Sequence, residues 1–283
     1  MIHGSMVLVG KPNVGKSTLL NTLLNIPLAI ISPKPQTTVY LVRGIANIGS
    51  RQILCIDTPG IHRLIHQERN RHMNRIAHYA MRSHDLVLAL FKAGSWDRED
   101  ENMLSWLNEI EVPKIAVITH IDTVDHASLQ TTVDHLSKLD LQGIVPISAV
   151  KNRHLDMLNA NILCLMPAEQ RAEDQQDPYH SDGFIAQEML REQIMNQLHQ
   201  EIPYAVTIEI LTCKRTVEKL IIHANLIVTK SNHKKILVGE NGCVIKSVGM
   251  LARKRISQLL NTGVELRLWV QQKERPKVYD IVE

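Results

Sequence analysis

Short apolar runs alternate with polar or amphipathic stretches through the first part of the chain. Apolar runs bounded by polar residues predict buried strands at residues 6–9, 53–56, 86–91, 115–118 and 144–147. Most of the stretches between them have helical length, and residues 16–25 place their leucines on one side of a helix. Strands that are apolar on both faces and alternate with helices are typical of a parallel sheet covered by helices on both sides. This part is therefore predicted to be a doubly wound α/β domain.

The pattern changes after Pro167. The stretch that follows has no apolar face and is interpreted as a linker, which divides the chain into 1–167, 168–180 and 181–283. Beyond it the pattern predicts a helix at 184–198, strands at 205–211 and 220–229, a Lys-rich helix ending near 238, a helix at about 244–260 and a strand at 264–270. The order α-β-β-α-α-β indicates a second domain of α+β type.

Composition and charge exclude some classes and favour others. Among the 283 residues, no apolar run approaches the ~20 residues of a membrane span, and the first one is too short for a signal peptide. A cytoplasmic protein is expected, with its four separated cysteines as reduced core thiols. Between Lys230 and Arg255 there are seven basic residues and one acidic residue, Glu240. Such a basic cluster points to a polyanionic partner, although it is also compatible with an ordinary solvated face.

The stretch after the first predicted strand carries a phosphate-binding motif. It reads Gly10-Lys11-Pro12-Asn13-Val14-Gly15-Lys16-Ser17, which fits G-x-x-x-x-G-K-[ST] and opens the first predicted helix. In such a loop, backbone N–H groups wrap a phosphate and the helix N-terminus adds partial positive charge. Lys16 is expected to reach the β- and γ-phosphates of a nucleotide, and Ser17 to ligate Mg²⁺.

A second part of this site follows the strand at 53–56. The sequence there reads Asp57-Thr58-Pro59-Gly60. Asp57 is expected to hold Mg²⁺ through water, and the Gly60 N–H to meet the γ-phosphate. Ile61 stands where Ras-like proteins often carry a glutamine that orients the attacking water, and isoleucine cannot do so by a hydrogen bond. Slow intrinsic hydrolysis is therefore expected.

The segment Pro35-Gln36-Thr37-Thr38 lies between these two motifs. A threonine there can close over Mg²⁺ and the γ-phosphate only when a triphosphate is bound, which is the order–disorder switch of GTPases. Thr38 is the first choice for this role and as a Mg²⁺ ligand, and Thr37 is the alternative.

A base-recognition site is predicted at the end of the strand at 115–118. GTPases hold guanine there with N-K-x-D, and this chain reads Thr119-His120-Ile121-Asp122. The Asp122 oxygens can accept from guanine N1–H and N2–H₂, which adenine does not offer. Thr119 keeps a polar group where asparagine is usual, whereas His120 replaces the lysine stem that lies along the base. Ser148 and Ala149 match the last guanine-contact loop, so guanine specificity is expected, with a relaxed nucleotide site as the alternative.

The second predicted domain carries a G-x-x-G loop between two helices. It reads Gly239-Glu240-Asn241-Gly242, with Lys234 and Lys235 before it and Lys246 after it. Loops of this kind clamp the backbone of about four nucleotides in KH domains, and flanking lysines neutralise the phosphates. The alternatives are a plain helix–helix turn and, for the neighbouring apolar residues, a place in the core rather than in a groove wall: Ile236, Val238, Val244 and Ile245.

Together, these motifs resemble those of the Era family of GTPases. The resemblance covers nearly the whole chain and rests on residues 10–18, 36–38, 57–60, 148–149, 202–209 and 238–242. It implies a P-loop NTPase of the Ras-like G-domain type, with a mostly parallel sheet, followed by a type II KH domain.

The resemblance also implies what the protein does. It implies GTP hydrolysis with Mg²⁺, binding near the 3′ end of small-subunit ribosomal RNA, and assistance in assembly of the small ribosomal subunit. It further implies a monomer, peripheral association with the inner face of the cell membrane, and control of the domain arrangement by the nucleotide. Related GTPases use an asparagine of the P-loop to hold K⁺ in place of an arginine finger. Asn13 matches it and joins Lys16, Thr38 and Gly60 as expected catalytic residues.

Two other functions are compatible with these residues. An RNA-binding scaffold would bind GTP but scarcely hydrolyse it, and turnover measured with and without ribosomal subunits separates it from a GTPase switch. A P-loop ATPase is disfavoured by Asp122 and by the Ser148–Ala149 pair, and competition between ATP and GTP decides that case.

Overall fold

The computed structural model describes residues 2–29, 42–61, 68–169, 181–199 and 202–273, and for residues 68–73 it describes the backbone alone. The chain divides into two compact units, Met1–Gln176 and Asp177–Glu283. Most of the predicted linker lies outside the described residues, so its limits stay a prediction.

The first unit is built on a six-stranded sheet within the described residues. Its strands lie in the order β2-β3-β1-β4-β5-β6, and every neighbouring pair is parallel except β2 and β3. The elements in chain order are β1 (Ser5–Gly10), α1 (Lys16–Leu24), β2 (Val42–Ile48), β3 (Arg51–Asp57), α2 (Glu68–Ser83), β4 (Leu86–Lys92), α3 (Arg98–Asn108), β5 (Lys114–Thr119), α4 (His126–Leu136), β6 (Gly143–Pro146) and α5 (Leu155–Leu165). The predicted mostly parallel, doubly wound sheet is confirmed.

Strand β2 was not predicted, and its burial explains why. Its residues alternate between buried and more exposed, because it lies at the edge of the sheet and, among the strands that the structure describes, pairs only with β3. The sequence there, interrupted by Arg43, Gly44 and Asn47, has no continuous apolar run. Four of the five predicted strands, by contrast, are internal, and the fifth, β6 at the opposite edge, still contains the continuous apolar run 144–147.

The core of this unit lies against both faces of the sheet. On one face, β-strand residues such as Val7, Val87 and Phe91 pack with Met81 of α2, Met103 of α3 and other side chains, all buried. Alternate residues of the same strands point to the opposite face, where α1 contacts β2 and β3, and α5 contacts β6. Burial on both faces explains why the central strands are apolar throughout.

Charged side chains hold both ends of α3. At its start, Asp97 accepts hydrogen bonds from the N–H groups of Glu99 and Asp100, and Asp100 accepts one from the N–H of Asp97, which is a capping box. Beyond its end, the ammonium of Lys114 donates to the carbonyls of Leu107 (2.9 Å) and Ile110 (2.7 Å). Acidic groups at the start and a cation at the end both complement the helix dipole.

In its described residues, the second unit places helices beside a three-stranded sheet in the order β7-β8-β9. Strands β7 and β8 are antiparallel, and β8 and β9 are parallel. Its elements are α6 (Asp182–Gln197), α7 (Ile202–Ala205), β7 (Thr207–Arg215), β8 (Lys219–Val228), α8 (Ser231–Val238), α9 (Cys243–Leu260) and β9 (Gly263–Gln272). The predicted order is confirmed, with one addition: α7 was not predicted, because its four residues are too few to show a helical period.

The four cysteines are all free, but only one lies in the core. Cys55 is buried, and burial raises the pKa of its thiol to about 12. Cys164, Cys213 and Cys243 are exposed. The expectation of core thiols is therefore wrong for these three, because isolated cysteines in mixed sequence carry no periodic signal of burial.

Candidate functional site

The predicted phosphate loop connects β1 to α1 at the carboxyl edge of the parallel sheet. Gly10 and Gly15 have positive φ angles of 153° and 99°, and Asn13 has one of 59°. A Cβ atom at Gly10 would lie 2.7 Å from the carbonyl oxygen of Leu90 in β4. Glycine is therefore required at position 10 both by the backbone conformation and by the contact with the neighbouring strand.

The ammonium of Lys16 is buried inside this loop. Its Nζ donates to the carbonyl oxygens of Gly10 (3.1 Å) and Lys11 (2.8 Å). Burial lowers the pKa of Lys16 to about 8, although the carboxylate of Asp57 acts in the opposite direction. A cation held among carbonyls and backbone amides is placed where a phosphate group would meet it.

Ser17 and Asp57 meet although they are far apart in the sequence. The Ser17 hydroxyl donates to Oδ2 of Asp57 at 2.6 Å, and Asp57 is fully buried. A hydroxyl and a carboxylate oxygen side by side next to a phosphate loop form the donor set that Mg²⁺ prefers. The residues present therefore fit the expected metal.

The loop after β3 is fastened to the phosphate loop. The Thr58 hydroxyl donates to the carbonyl of Leu8 (2.8 Å), and the N–H of Ile61 donates to the carbonyl of Gly10 (3.1 Å). A Cβ atom at Gly60 would lie 2.8 Å from both N and Cγ of Pro12. The two loops are thus in direct contact at Gly60.

Ile61 packs into the hydrophobic core and is only 3% exposed. Its side chain therefore points away from solvent, in agreement with the argument that it cannot orient a water molecule. Thr37 and Thr38, the candidates for the switch threonine, lie outside the described residues.

Thr119 and His120 reach the phosphate loop from the end of β5. The buried hydroxyl of Thr119 lies 2.7 Å from the carbonyl oxygen of Val14 and 3.1 Å from that of Phe91. Nδ1 of His120 lies 2.9 Å from the same hydroxyl oxygen, and a Cβ atom at Gly15 would be 3.4 Å from Cε1 of this ring. Since the hydroxyl hydrogen is directed to a carbonyl, Nδ1–H is the donor to Thr119.

The charge of His120 is set by the same surroundings. Burial and the nearby charge of Lys92 lower its pKa, and Asp122 acts in the opposite direction. The imidazole is therefore neutral at pH 7, with the Nδ1–H tautomer defined by Thr119. The two residues that depart from N-K-x-D still connect this loop to the phosphate loop.

Asp122 lies beside the last predicted base-contact loop. A hydrogen bond from Ser148 lowers the pKa of Asp122, and the Lys151 ammonium, 3.5 Å from Oδ2, acts in the same direction. Ser148 is buried and is held by two backbone hydrogen bonds with Arg153. Asp122 is consequently ionised at neutral pH, as an acceptor for guanine N–H groups must be, and Ala149 follows in the same loop.

The G-x-x-G loop of the second unit joins α8 to α9. Gly239 and Gly242 have φ angles of 74° and 76°, and Asn241 between them has one of 50°. A Cβ atom at Gly239 would lie 2.5 Å from Cγ2 of Val244, so the tight turn requires glycine there. The exposed Glu240 and Asn241 form the tip of the loop.

The lysines around this loop are exposed, as a phosphate contact requires. Lys234 and Lys235 lie on α8, and Lys246 lies in the first turn of α9. Of the four apolar candidates for a groove wall, Ile236 is 48% exposed, whereas Val244 and Ile245 pack against the core and Val238 is partly buried. Ile236 therefore fits a groove wall best.

Sequence reasoning missed two groups of side chains around the nucleotide site. Lys151 stands three residues after Ser148 and is not part of any motif considered above. Asp97 and Asp100 bind the side chain of Lys11, which turns away from Lys16 and toward α3. The D-x-x-D spacing before a helix could have identified the capping box, but not its lysine partner.

Comparison with known proteins identifies both units. Residues 5–120 match the family described as 50S ribosome-binding GTPase, and residues 201–276 match the KH domain family. GTPase Era of Pseudomonas fluorescens is 39% identical over 95% of this chain and 91% of its own length. GTPase Era of Azotobacter vinelandii is 38% identical over the same shares of the two chains.

Two solved structures are similar over almost the whole chain. One is a variant of Aquifex aeolicus Era bound to GDP and AlF₄⁻, with a TM-score of 0.86, 34% identity, and coverage of 96% of this chain and 94% of that one. The other is Era in complex with MgGDPNP and nucleotides 1506–1542 of 16S ribosomal RNA, with a TM-score of 0.86, 33% identity and the same coverage. The chain therefore belongs to the Era family of GTPases.

Proposed function

We propose that this protein is a slow GTPase that binds small-subunit ribosomal RNA near its 3′ end and assists assembly of the small ribosomal subunit. The observation that carries the proposal is the contact between Ser17 and Asp57, at 2.6 Å, beside the buried ammonium of Lys16. These three groups match the needs of a triphosphate with its metal. The G-x-x-G loop, with its exposed lysines, supports RNA binding by the second unit.

The roles of the residues in hydrolysis follow from their positions. The backbone amides of the phosphate loop and Lys16 would bind the β- and γ-phosphates, and the Gly60 N–H would meet the γ-phosphate. Ser17 and Asp57 would hold Mg²⁺, which neutralises charge on the phosphates when bound. Thr38, or Thr37 in its place, would close over the γ-phosphate. Since Ile61 cannot position water, turnover in the absence of ribosomal subunits should be slow.

Asn13 is proposed to hold a K⁺ ion that assists hydrolysis. It lies at the exposed tip of the phosphate loop, with a left-handed backbone conformation. A cation there would offset charge that develops on the phosphates. Hydrolysis should therefore be faster in potassium than in sodium buffer, and equal rates would contradict this role.

Asp122, with Ser148, Ala149 and Lys151 around it, is proposed to select guanine. The bond from the Thr119 hydroxyl to the Val14 carbonyl, at 2.7 Å, fixes this loop on the phosphate loop and so supports a specific base site over a relaxed one. GTP should therefore compete with labelled GDP at concentrations at least about 100-fold lower than ATP. Equal competition by ATP would favour the ATPase alternative.

One set of titrations tests the proposed function as a whole. GDP and GTP affinities are measured by calorimetry with Mg²⁺ at a stated salt concentration, with and without an RNA covering the 3′ end of the small-subunit ribosomal RNA. GTP turnover is then measured with and without small ribosomal subunits. Binding of nucleotide and RNA, with turnover that rises on addition of subunits, is the expected result. Binding without turnover under either condition would favour the scaffold alternative.

Location and assembly state belong to the same proposal. No helix in the described ranges is both long and apolar enough to cross a membrane. Because its proposed partner is ribosomal RNA, the protein is proposed to act in the cytoplasm. Monomeric behaviour and peripheral membrane association are further expectations that the family resemblance implies. Sedimentation of the purified chain with and without vesicles of anionic lipid tests both expectations.

A further inference from the structure

The side chain of Lys11 takes an unexpected direction for a residue of the phosphate loop. Lys11 is buried, with 8% of its surface exposed, and its Nζ lies 2.6 Å from Oδ2 of Asp100 and 2.9 Å from Oδ2 of Asp97. Both carboxylates stand at the start of α3. The ammonium is therefore bonded to a helix that follows β4, and not directed into the phosphate loop.

Both carboxylates also form hydrogen bonds with backbone N–H groups at the start of α3. Oδ2 of Asp100 accepts from the N–H of Asp97 at 3.0 Å, and Asp97 in turn caps the first turn of the helix. Asp100 is fully buried, and its Oδ1 has no hydrogen-bond partner in the part of the chain that the structure describes. Lys11 thus supplies the positive charge for a buried carboxylate that has few other partners.

The backbone of Lys11 has a separate task in the nucleotide site. Its carbonyl oxygen accepts from Nζ of Lys16 at 2.8 Å, next to the carbonyl of Gly10. One residue consequently links the buried ammonium of Lys16 to the start of α3. Displacement of Lys11 would move a carbonyl that positions the phosphate-binding lysine.

The pKa shifts of Lys11, Asp97 and Asp100 show whether the ion pairs persist at neutral pH. Burial would lower the pKa of Lys11, but the hydrogen bonds and charges of Asp100 and Asp97 more than offset it and raise this pKa. Burial raises the pKa of Asp100. At the more exposed Asp97, burial acts in the same direction, but the bond and charge of Lys11 together with the N–H groups of Glu99 and Asp100 outweigh it and lower the pKa. The ammonium therefore stays charged at neutral pH.

We propose that Lys11 is a positioning residue for nucleotide binding, and that it acts through an ionic clamp with Asp97 and Asp100 that fixes the phosphate loop on α3. The proposal rests on the proposed GTP site but assigns the side chain a role without any phosphate contact. Loss of one partner from a buried ion pair leaves an unpaired charge, which usually costs more than loss of both partners. The clamp therefore predicts that the effects of substituting Lys11 and Asp100 on nucleotide affinity are not additive.

The test is a double-mutant cycle on GDP affinity with Lys11→Met, Asp100→Asn and the double variant. Each single variant should raise the GDP Kd by about tenfold, and the double variant should be no weaker than the weaker single variant. The ratio of GTP to GDP affinity should stay within about twofold of wild type, because no phosphate contact is lost. Lys11→Arg keeps the positive charge and can donate to both carboxylates, so its GDP affinity should be close to that of wild type.

A second buried lysine provides the matched control. Lys114 is 8% exposed, like Lys11, and its ammonium bonds two carbonyls at the other end of α3. Lys114→Met should lower the unfolding temperature, because buried carbonyls lose their donor, while the GDP Kd stays within about twofold of wild type. This variant separates loss of a buried lysine from loss of the clamp.

Three results would overturn the clamp. They are wild-type GDP affinity in Lys11→Met, additive losses in the double variant, and a selective loss of GTP over GDP, which would indicate a direct contact with the γ-phosphate. Should the buried variants not fold, Asp97→Asn at the exposed carboxylate takes their place, with an expected rise in Kd of about threefold; an unchanged Kd there would equally overturn the clamp. Failure of the wild-type chain to bind GDP would instead refute the proposed function.

Discussion

Individual side chains at the nucleotide site act through contacts made across long stretches of sequence. The Thr119 hydroxyl meets the Val14 carbonyl, and the Ser17 hydroxyl meets Asp57. The parallel sheet causes both contacts, because consecutive strands end at the same edge and bring their following loops together.

Asp122→Asn is expected to change which base is bound. The substitution replaces one carboxylate oxygen with an NH₂ group, so guanine N2–H₂ loses its acceptor while the O2 of xanthine gains a donor. The GTP Kd should rise by roughly 100-fold or more, and XTP should bind more tightly than GTP. Competition with labelled GDP measures both changes. Asp140→Asn, at an exposed carboxylate of the same unit, is the control, and unchanged GTP binding in Asp122→Asn would refute the assignment of the base site.

Nucleotide binding should take up a proton at mildly alkaline pH. The pKa of Lys16 is about 8, and a phosphate beside the ammonium would raise it. Binding at pH 8 should therefore take up about half a proton, and at pH 7 about a tenth, so affinity should fall as pH rises from 7 to 9. Calorimetry of GDP binding in two buffers with different ionisation enthalpies measures the uptake. Equal uptake at the two pH values would contradict this account of Lys16.

At the scale of elements, the sequence predicts those strands that are buried on both faces of the sheet, because burial on both faces requires an apolar run. Strands β1, β4 and β5 are buried at every position except Ser5 and Lys92 and were identified from their continuous apolar runs. The edge strand β2 and the one-turn helix α7 were missed, since an alternating strand with three polar or glycine positions and a four-residue helix lack the required period.

The candidate site likewise has features that the sequence predicted and contacts that it did not. Motifs predicted which loops carry the chemistry, and the sheet order brings those loops to one edge. The direction of the Lys11 side chain could not be predicted, because its partner Asp100 lies 89 residues away and the P-loop pattern leaves the second position undefined. Lys151 was missed for the same reason: its contact with Asp122 depends on the conformation of the loop after β6.

Contact between two loops makes Gly60 sensitive to substitution. In Gly60→Ala the new Cβ would lie 2.8 Å from backbone and ring atoms of Pro12, so one loop must move. Affinity for a non-hydrolysable GTP analogue should fall by about tenfold or more, and GDP affinity by less, because the Gly60 N–H is proposed to meet the γ-phosphate. Titration with both nucleotides measures the difference.

The control for this prediction lies in β6. Gly143→Ala brings its Cβ to 3.0 Å from the side-chain oxygen of Asn161, which can rotate away. Its nucleotide affinities should match wild type. An equal loss of GDP and GTP analogue in Gly60→Ala would show that the substitution only distorts the phosphate loop.

At the scale of the whole molecule, two compact units each carry one proposed site. The nucleotide residues lie in Met1–Gln176, and the G-x-x-G loop lies in Asp177–Glu283. Each unit has its own hydrophobic core within the described residues. The two binding activities should therefore be separable by substitution, even if nucleotide and RNA influence each other's affinity.

The double substitution Lys234→Ala with Lys235→Ala should weaken RNA binding selectively. Loss of two phosphate contacts should reduce affinity for the ribosomal RNA fragment by about tenfold at low salt and make the salt dependence shallower, by about 0.7 per lost contact on a log–log plot. GDP affinity without RNA should be unchanged. Fluorescence anisotropy with labelled RNA at several salt concentrations measures both quantities.

Lys138→Ala removes an exposed lysine of the first unit and is the control for nonspecific charge effects. It should leave the slope of the salt plot unchanged. If the double substitution at 234 and 235 altered RNA binding no more than Lys138→Ala, the proposed role of the α8 lysines would be refuted.

The exposed thiol of Cys243 has a practical consequence. It begins α9, and a Cβ atom at Gly239 would lie only 3.0 Å from its Sγ, so the thiol adjoins the G-x-x-G loop. With Cys164 and Cys213 replaced by serine, a maleimide dye should couple at Cys243 alone, because the thiol of Cys55 is shielded and almost never ionised. The dye would then report occupancy of the loop by a change in its emission, and a bound oligonucleotide would slow the coupling reaction itself.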